Sequence, residues 1–188
     1  MALAGLILAA GAGSRYGHEP KLLADLDGRP VLEHAIAAQC SVAALERIVV
    51  VLGAHADAIV EAVDFGRAEP LVCERWSDGV SASLRCGTEA LADAERVIVT
   101  LGDEPLMRSE IIARFVETPP GSRATYGGQP GHPVVLGPRQ IHSLRALSGD
   151  RGARELLDGG KTIECGDLGP RGDIDTPNDL EAIRRSAR

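Results

Sequence analysis

Leu6-Ile7-Leu8-Ala9-Ala10-Gly11-Ala12-Gly13-Ser14-Arg15-Tyr16-Gly17 is an apolar run that breaks into a glycine-rich loop, and Lys21 follows closely. Glycines at 11, 13 and 17 permit backbone conformations that a side chain forbids and let a ligand approach the main chain. Such a loop aims several backbone N–H groups at one point, which suits a polyphosphate, and Arg15 and Lys21 add positive charge. The chemistry suggested is the binding of a nucleoside triphosphate. The same spacing fits a variant dinucleotide loop, but that site calls for a carboxylate about 20 residues further on, near the tip of the second strand, to hold ribose hydroxyls. Here the second apolar run ends in Gly53-Ala54-His55.

Carboxylates stand out at two other places. Val97-Ile98-Val99-Thr100-Leu101 reads as a buried strand, and Gly102-Asp103-Glu104-Pro105 follows at its carboxyl end, where open α/β sheets bind ligands. Asp173-Ile174-Asp175-Thr176-Pro177 precedes the last helical stretch. Asp103 and Asp175 from these distant segments can share one magnesium ion, which takes a few carboxylates together with phosphate oxygens and water. The competing reading makes Asp173 or Asp175 the cap of the final helix. Residues 127–133, Gly-Gly-Gln-Pro-Gly-His-Pro, are richer in turn formers than a turn requires and read as a site loop that carries His132. Trp76 either stacks on a ligand or packs a loop onto the core. His18, His34, His55 and His142 lack ligand spacing and receive no role.

The elements that must position these groups follow from periodicity. Short apolar runs alternate with helix-period stretches, the pattern of a mostly parallel sheet covered by helices on both faces. The spacing predicts strands at 4–9, 46–52, 70–73, 96–101, 123–127, 132–136 and 161–165. Helices are expected at 30–40, 55–63, 80–92, 109–117, 138–147, 151–158 and 177–186, with start signals at Pro30, Ser109, Asp150 and Thr176-Pro177. The fold class is α/β, three-layered and Rossmann-like. At 188 residues the chain is expected to form a single domain over 1–188.

Bulk charge excludes some partners. The formal net charge is −7 with no basic run, which argues against extended contact with nucleic acid or an anionic membrane surface. No apolar run approaches the roughly 20 residues of a bilayer span, and the apolar start lacks the cationic region of a secretory signal, so a cytoplasmic location is expected. Cys40, Cys73, Cys86 and Cys165 show no metal-binding spacing and are expected to be reduced, mostly buried thiols.

Five ordered motifs, L-A-A-G-A-G-S-R-Y-G with Lys21, G-D-E-P, G-H-P-V-V-L, G-D-R-G-A-R-E-L-L and D-I-D-T-P-N-D-L, span essentially the whole chain. Together they resemble the nucleotidyltransferases that attach nucleotides to the molybdenum cofactor. Within that MobA-like superfamily the likeness is to the molybdenum cofactor cytidylyltransferases, since the guanylyltransferase branch favours a second glycine and a different following pattern. The resemblance implies a three-layer nucleotidyltransferase fold that moves CMP from CTP, or a nucleotide from another NTP, to the terminal phosphate of molybdopterin and releases pyrophosphate. It implies that Leu8, Ala9, Ala10, Gly11, Gly13 and Ser14 line the nucleotide site, and that Arg15 and Lys21 neutralise the triphosphate. It further implies that Asp103 and Asp175 hold Mg2+, that His132 faces the second substrate, and that Gly79, Ser81, Ser83 and Leu84 approach base and ribose. A molybdenum hydroxylase or its chaperone is the implied protein partner. Two departures stand out: three residues, His18-Glu19-Pro20, separate Gly17 from Lys21 where the family usually has two, and G-D-E-P replaces the usual G-D-Q-P. Other readings of the motifs are the same fold acting on a different phosphorylated acceptor, an NAD(P)H-dependent reductase of a heterocycle, and a non-catalytic cofactor chaperone that would need no metal carboxylates.

Overall fold

A computed structural model describes residues 2–17 and 19–186; His18 lies outside the described residues. Its seven-stranded sheet has the order β5-β4-β1-β6-β8-β7-β9. The strands are β1 Leu3–Ala9, β4 Arg47–Leu52, β5 Glu69–Val72, β6 Arg96–Leu101, β7 Arg123–Tyr126, β8 Gln129–Leu136 and β9 Thr162–Glu164, while β2 Asp25–Leu26 and β3 Arg29–Pro30 form a separate ribbon. Strands β5, β4, β1 and β6 run parallel, as do β7 and β9, whereas β8 is antiparallel to both of its neighbours.

Both sheet faces are covered, which explains why the central strands read as unbroken apolar runs. Ile7 of β1, Ile48, Val50 and Leu52 of β4, and Ile98 of β6 pack with helices α1 Val31–Cys40, α2 Ala56–Ala62 and α4 Ser109–Ala113. Their strand neighbours Leu6, Val49, Val51, Val97 and Val99 face the other way, against α3 Val80–Ala90 and the segment around Leu144. Helix α5, Pro138–Ser143, follows β8. Helix α6, Pro177–Ser186, lies apart from these two layers, its Leu180 and Ile183 packed with Leu26, Val31 and Ile174.

Several expected elements are corrected. The helix at 109–117 stops at Ala113 and continues as turns; 138–147 is α5 followed by a 3-10 turn, and 151–158 contains only the 3-10 turn Ala153–Leu156. Glycines at 149, 152, 159 and 160 bound that last stretch too tightly for a stable α-helix to nucleate. Residues 127–133 are not an open loop. Gly127 and Gly128, with φ of 56° and 79°, make a two-residue hairpin turn, and β8 begins at Gln129. Cys73 and Cys86 are joined in a disulfide, their Cα atoms 6.0 Å apart, because the chain turns back after β5 and α3 packs over β4 and β1; the expectation of reduced thiols fails for this pair. Among the described residues, no helix is long and apolar enough to cross a membrane.

Candidate active site

Parallel pairing of β1 with β6 brings the ends of both strands to the same sheet edge, so the glycine loop and Asp103 become neighbours although more than 80 residues separate them in sequence. Lys21 opens a short 3-10 turn and lays its aliphatic stem on Gly13, whose φ is 61° and where an added Cβ would sit 3.2 Å from Lys21 Cγ. This contact directs the ammonium inward. Lys21 Nζ donates to Asp103 Oδ2 at 2.5 Å, to the Ile174 carbonyl at 2.9 Å and to Asp175 Oδ1 at 3.5 Å.

The 171–176 segment is held by its backbone. Ile174 N donates to the Asp103 carbonyl at 2.9 Å, which fixes Asp175 beside the end of β6. The cap of α6 comes from neither Asp173 nor Asp175. Thr176 Oγ1 accepts from Asp179 N at 3.4 Å while Asp179 Oδ2 accepts from the backbone of Asp175 and Thr176, a reciprocal cap that leaves the Asp175 carboxylate free for the site. Asp173 pairs instead with Arg171. Arg15, largely exposed, reaches Asp175 Oδ2 at 2.9 Å.

Two carboxylates therefore converge on one cationic position. Their oxygens bonded to Lys21 Nζ are at most about 6 Å apart, since the ammonium lies 2.5 and 3.5 Å from them. Burial pushes the Asp103 carboxyl above the ordinary carboxylate range; the Lys21 charge pulls it down and the adjacent Glu104 pushes it up. Among the described residues no group of three or more His, Cys, Asp and Glu side chains converges. A divalent ion fits this donor set only as magnesium is often held, by two carboxylates with phosphate oxygens and water completing the shell.

Leu8, Ala9, Gly11, Gly13, Ser14, Arg15, Lys21, Asp103 and Asp175 line one cavity of about 430 Å3, joined by Leu22, Val80 and Asp150. Ala10 does not line it; its carbonyl is used by Ala54 N. Ser81 and Ser83 also lie outside, because α3 starts at Val80 and its turn carries both serines into the protein, where they are buried. Gly79, with φ of 99°, is the close-approach point for the 148–152 loop: a Cβ there would meet the Gly149 carbonyl carbon at 2.4 Å. Ser81 N donates to the Gly149 carbonyl, so that loop stays clasped to the start of α3.

A second cavity of about 320 Å3 adjoins the first, and Leu8, Val80 and Asp150 belong to both walls. Leu84, Val99, Leu101, Val134 and Leu157 make it largely apolar, and His132, Arg123, Arg154 and Arg171 bring cationic or polar groups to it. His132 stands at an irregularity in β8: Arg123 pairs with Val134 and Ala124 with Gly131, so His132 and Pro133 have no residue opposite. Bulges of this kind re-aim side chains beside sites. Tyr126 Oη donates to the His132 carbonyl at 2.7 Å. Trp76 is half-buried and packs against the core beside Gly53, outside both cavities. Arg123 and Arg171 were not singled out from sequence; Asp150 was read only as a helix start, and Arg154 lay unassigned in the same G-D-R-G-A-R-E-L-L motif.

Residues 5–164 match the model of the MobA-like NTP transferase domain, and the chain belongs to that family. It is a nucleotidyltransferase of the MobA-like class by fold and family. It is 32% identical to the nicotine blue oxidoreductase of Paenarthrobacter nicotinovorans over 92% of this chain and 91% of that one. It is 42% identical to the 2-C-methyl-D-erythritol 4-phosphate cytidylyltransferase of Cereibacter sphaeroides over 65% of this chain, a match that spans 57% of that relative's length. Among solved structures, the Rv0371c homologue from Mycobacterium sp. strain JC1 superposes with a TM-score of 0.82 at 26% identity, covering 98% of this chain and 96% of that one. Rv0371c of Mycobacterium tuberculosis, solved as a complex with manganese, shares the fold at a TM-score of 0.77 and 24% identity, covering 99% of this chain and all of the other.

Proposed function

We propose that this protein transfers CMP from CTP to the terminal phosphate of the molybdopterin cofactor, with Mg2+ as its metal and pyrophosphate as the second product. The observation that carries the reading is the convergence of Asp103 and Asp175 on one cationic position beside the glycine loop. The manganese complex of a protein of this fold and the cytidylyltransferase among the relatives support a divalent ion and a pyrimidine nucleotide.

Asp103 and Asp175 would hold the ion, and the glycine loop would present its N–H groups to the triphosphate. A bound ion would supply Lewis-acid chemistry at the α-phosphate, held there by these two carboxylates. Lys21 and Arg15, paired with these carboxylates here, would neutralise charge that builds on the leaving pyrophosphate. A phosphate monoester is largely dianionic near neutral pH, so attack needs no strong general base. The adjoining cavity, with its apolar wall and three arginines, would hold the acceptor heterocycle and its anionic group. Both substrates then meet where Leu8, Val80 and Asp150 are shared.

The test is incubation of the purified protein with each of the four nucleoside triphosphates, Mg2+ and molybdenum cofactor, with pyrophosphate release as the readout. Release with CTP and cofactor together is expected, and the absence of release with cofactor and any of the four triphosphates would overturn the reading. A second reading rests on the nicotine blue oxidoreductase relative: a reductase of a heterocycle that uses NAD(P)H. Oxidation of NAD(P)H without pyrophosphate release would favour it.

A further inference from the structure

Glu104 takes the place of the glutamine that the resembled family usually carries beside its metal-binding aspartate, and its surroundings are unusual. The residue is 2% exposed, and both carboxylate oxygens are sealed from solvent with no hydrogen-bond partner. His132 Nδ1 is likewise sealed and unpartnered. These orphaned atoms face each other: His132 Nδ1 lies 3.5 Å from Glu104 Oε1, and Arg171 Nε lies 3.5 Å from the same oxygen.

Buried polar atoms that lack a partner are costly, by about 1–3 kcal/mol each, and nearly all are satisfied in folded proteins. Among the described residues no other donor is in hydrogen-bond contact with either carboxylate oxygen, and Nδ1 has no acceptor but Oε1 beside it. A carboxylate oxygen only accepts, so an unprotonated Nδ1 would put two lone pairs face to face in a dry place. Arg171 Nε, which can only donate, faces the same oxygen, so Oε1 is an acceptor between two donors and a proton on Nδ1 is the arrangement that satisfies both orphaned atoms. The bond one ring nitrogen makes decides the state of the other, and the neutral ring then carries a lone pair on Nε2. That nitrogen is not among the sealed atoms, and the ring lines the second cavity.

We propose that Glu104 is a positioning residue that holds the His132 proton on Nδ1, so that Nε2 meets the occupant of the second cavity as a hydrogen-bond acceptor. The occupant is thereby selected for an N–H or O–H aimed at His132, a requirement separate from its anionic group, which the arginines meet. The backbone supports this aim: the bulge turns His132 out of the ladder, and Tyr126 fixes its carbonyl. Arg171 shares Oε1 and also bonds the Pro130 carbonyl and Asp173, so it ties β8 to the segment that carries Asp175. This inference rests on the reading of the second cavity as the acceptor side.

The deciding measurement is the 15N–1H long-range correlation spectrum of the histidine rings at about pH 8, above the ordinary imidazole range, with the His132 signals assigned by His132→Gln. The wild type is expected to show the Nδ1–H tautomer. Glu104→Gln, whose amide oxygen can accept the same bond, should keep it; Glu104→Leu should lose it. Should the leucine variant fail to fold, the wild type and the glutamine variant decide alone. A wild-type ring protonated on Nε2, or on both nitrogens, overturns the proposal, as does an unchanged tautomer in folded Glu104→Leu. With molybdenum cofactor as the acceptor, Glu104→Leu should raise the acceptor KM about tenfold and leave kcat within about threefold, while Glu104→Gln stays near wild type. The tautomer is read without turnover, so a protein that transfers no nucleotide would refute the proposed function and leave this inference to stand or fall on the spectrum.

Discussion

The two adjoining cavities are built on opposite physical plans. The first is made from backbone and charge: a glycine loop and Asp103 at the ends of parallel strands, with Lys21, Arg15 and Asp175 brought up to them. The second is made from packed side chains, an apolar wall of leucines and valines edged by arginines, and lies where the sheet turns antiparallel at β8. Groups held by parallel strand ends suit a ligand whose recognised part is always the same, such as a triphosphate with its metal. A cavity of side chains on a bulged hairpin can be recut by substitution without disturbing the loop. The difference fits a chain whose relatives bear names as unlike as a cytidylyltransferase and an oxidoreductase.

The comparison is broken most severely at the carboxylates. Asp103→Asn and Asp175→Asn should each lower metal-dependent turnover by about a thousandfold, the scale of losing several kcal/mol of charge stabilisation. Thermal unfolding should show both variants folded. If either variant retains turnover within about tenfold of wild type, the shared ion is not used. In the second cavity, His132→Ala should raise the acceptor KM by about thirtyfold and leave CTP affinity, read by calorimetry, within about twofold. A matching loss of CTP affinity would mean that the two cavities do not divide the substrates.

Arg15→Ala is expected to have a smaller effect. Because the side chain is largely exposed, its contact with phosphate is screened, and CTP affinity should fall about tenfold with cytidine affinity unchanged. Equal losses for both ligands would place Arg15 away from the phosphates. The smallest effect belongs to the scaffold: Thr176→Ala removes half of the reciprocal cap on α6 and should cost about 1 kcal/mol of stability in denaturant titration. A loss several times larger would show that the cap also sets the Asp175 segment.

Much of the first cavity was legible in the sequence because its determinants are local. The run from Leu6 into Gly17 announces a strand and its loop together, and Asp103 follows directly on the apolar residues that bury β6. The convergence of Asp175 was expected from motif order, but the role of Thr176 and Asp179 as the true cap emerges only from their side-chain bonds. The second cavity was largely illegible. Arg123, Arg154 and Arg171 come from separate segments with no shared spacing, and the Glu104–His132 contact joins residues 28 apart through a bulge that no periodicity marks. Ser81 and Ser83 illustrate the converse: polar residues inside a promising motif, turned inward once the helix phase is set by its start at Val80.

The central claim is that Asp103 and Asp175 share one divalent ion in front of the glycine loop. Crystals of the protein grown with CTP and Mn2+ allow that ion to be located by its anomalous scattering. The account predicts a single peak within about 2.3 Å of a carboxylate oxygen from each of the two aspartates, with triphosphate oxygens completing the shell. A peak bound by only one of them, or by neither, would contradict it.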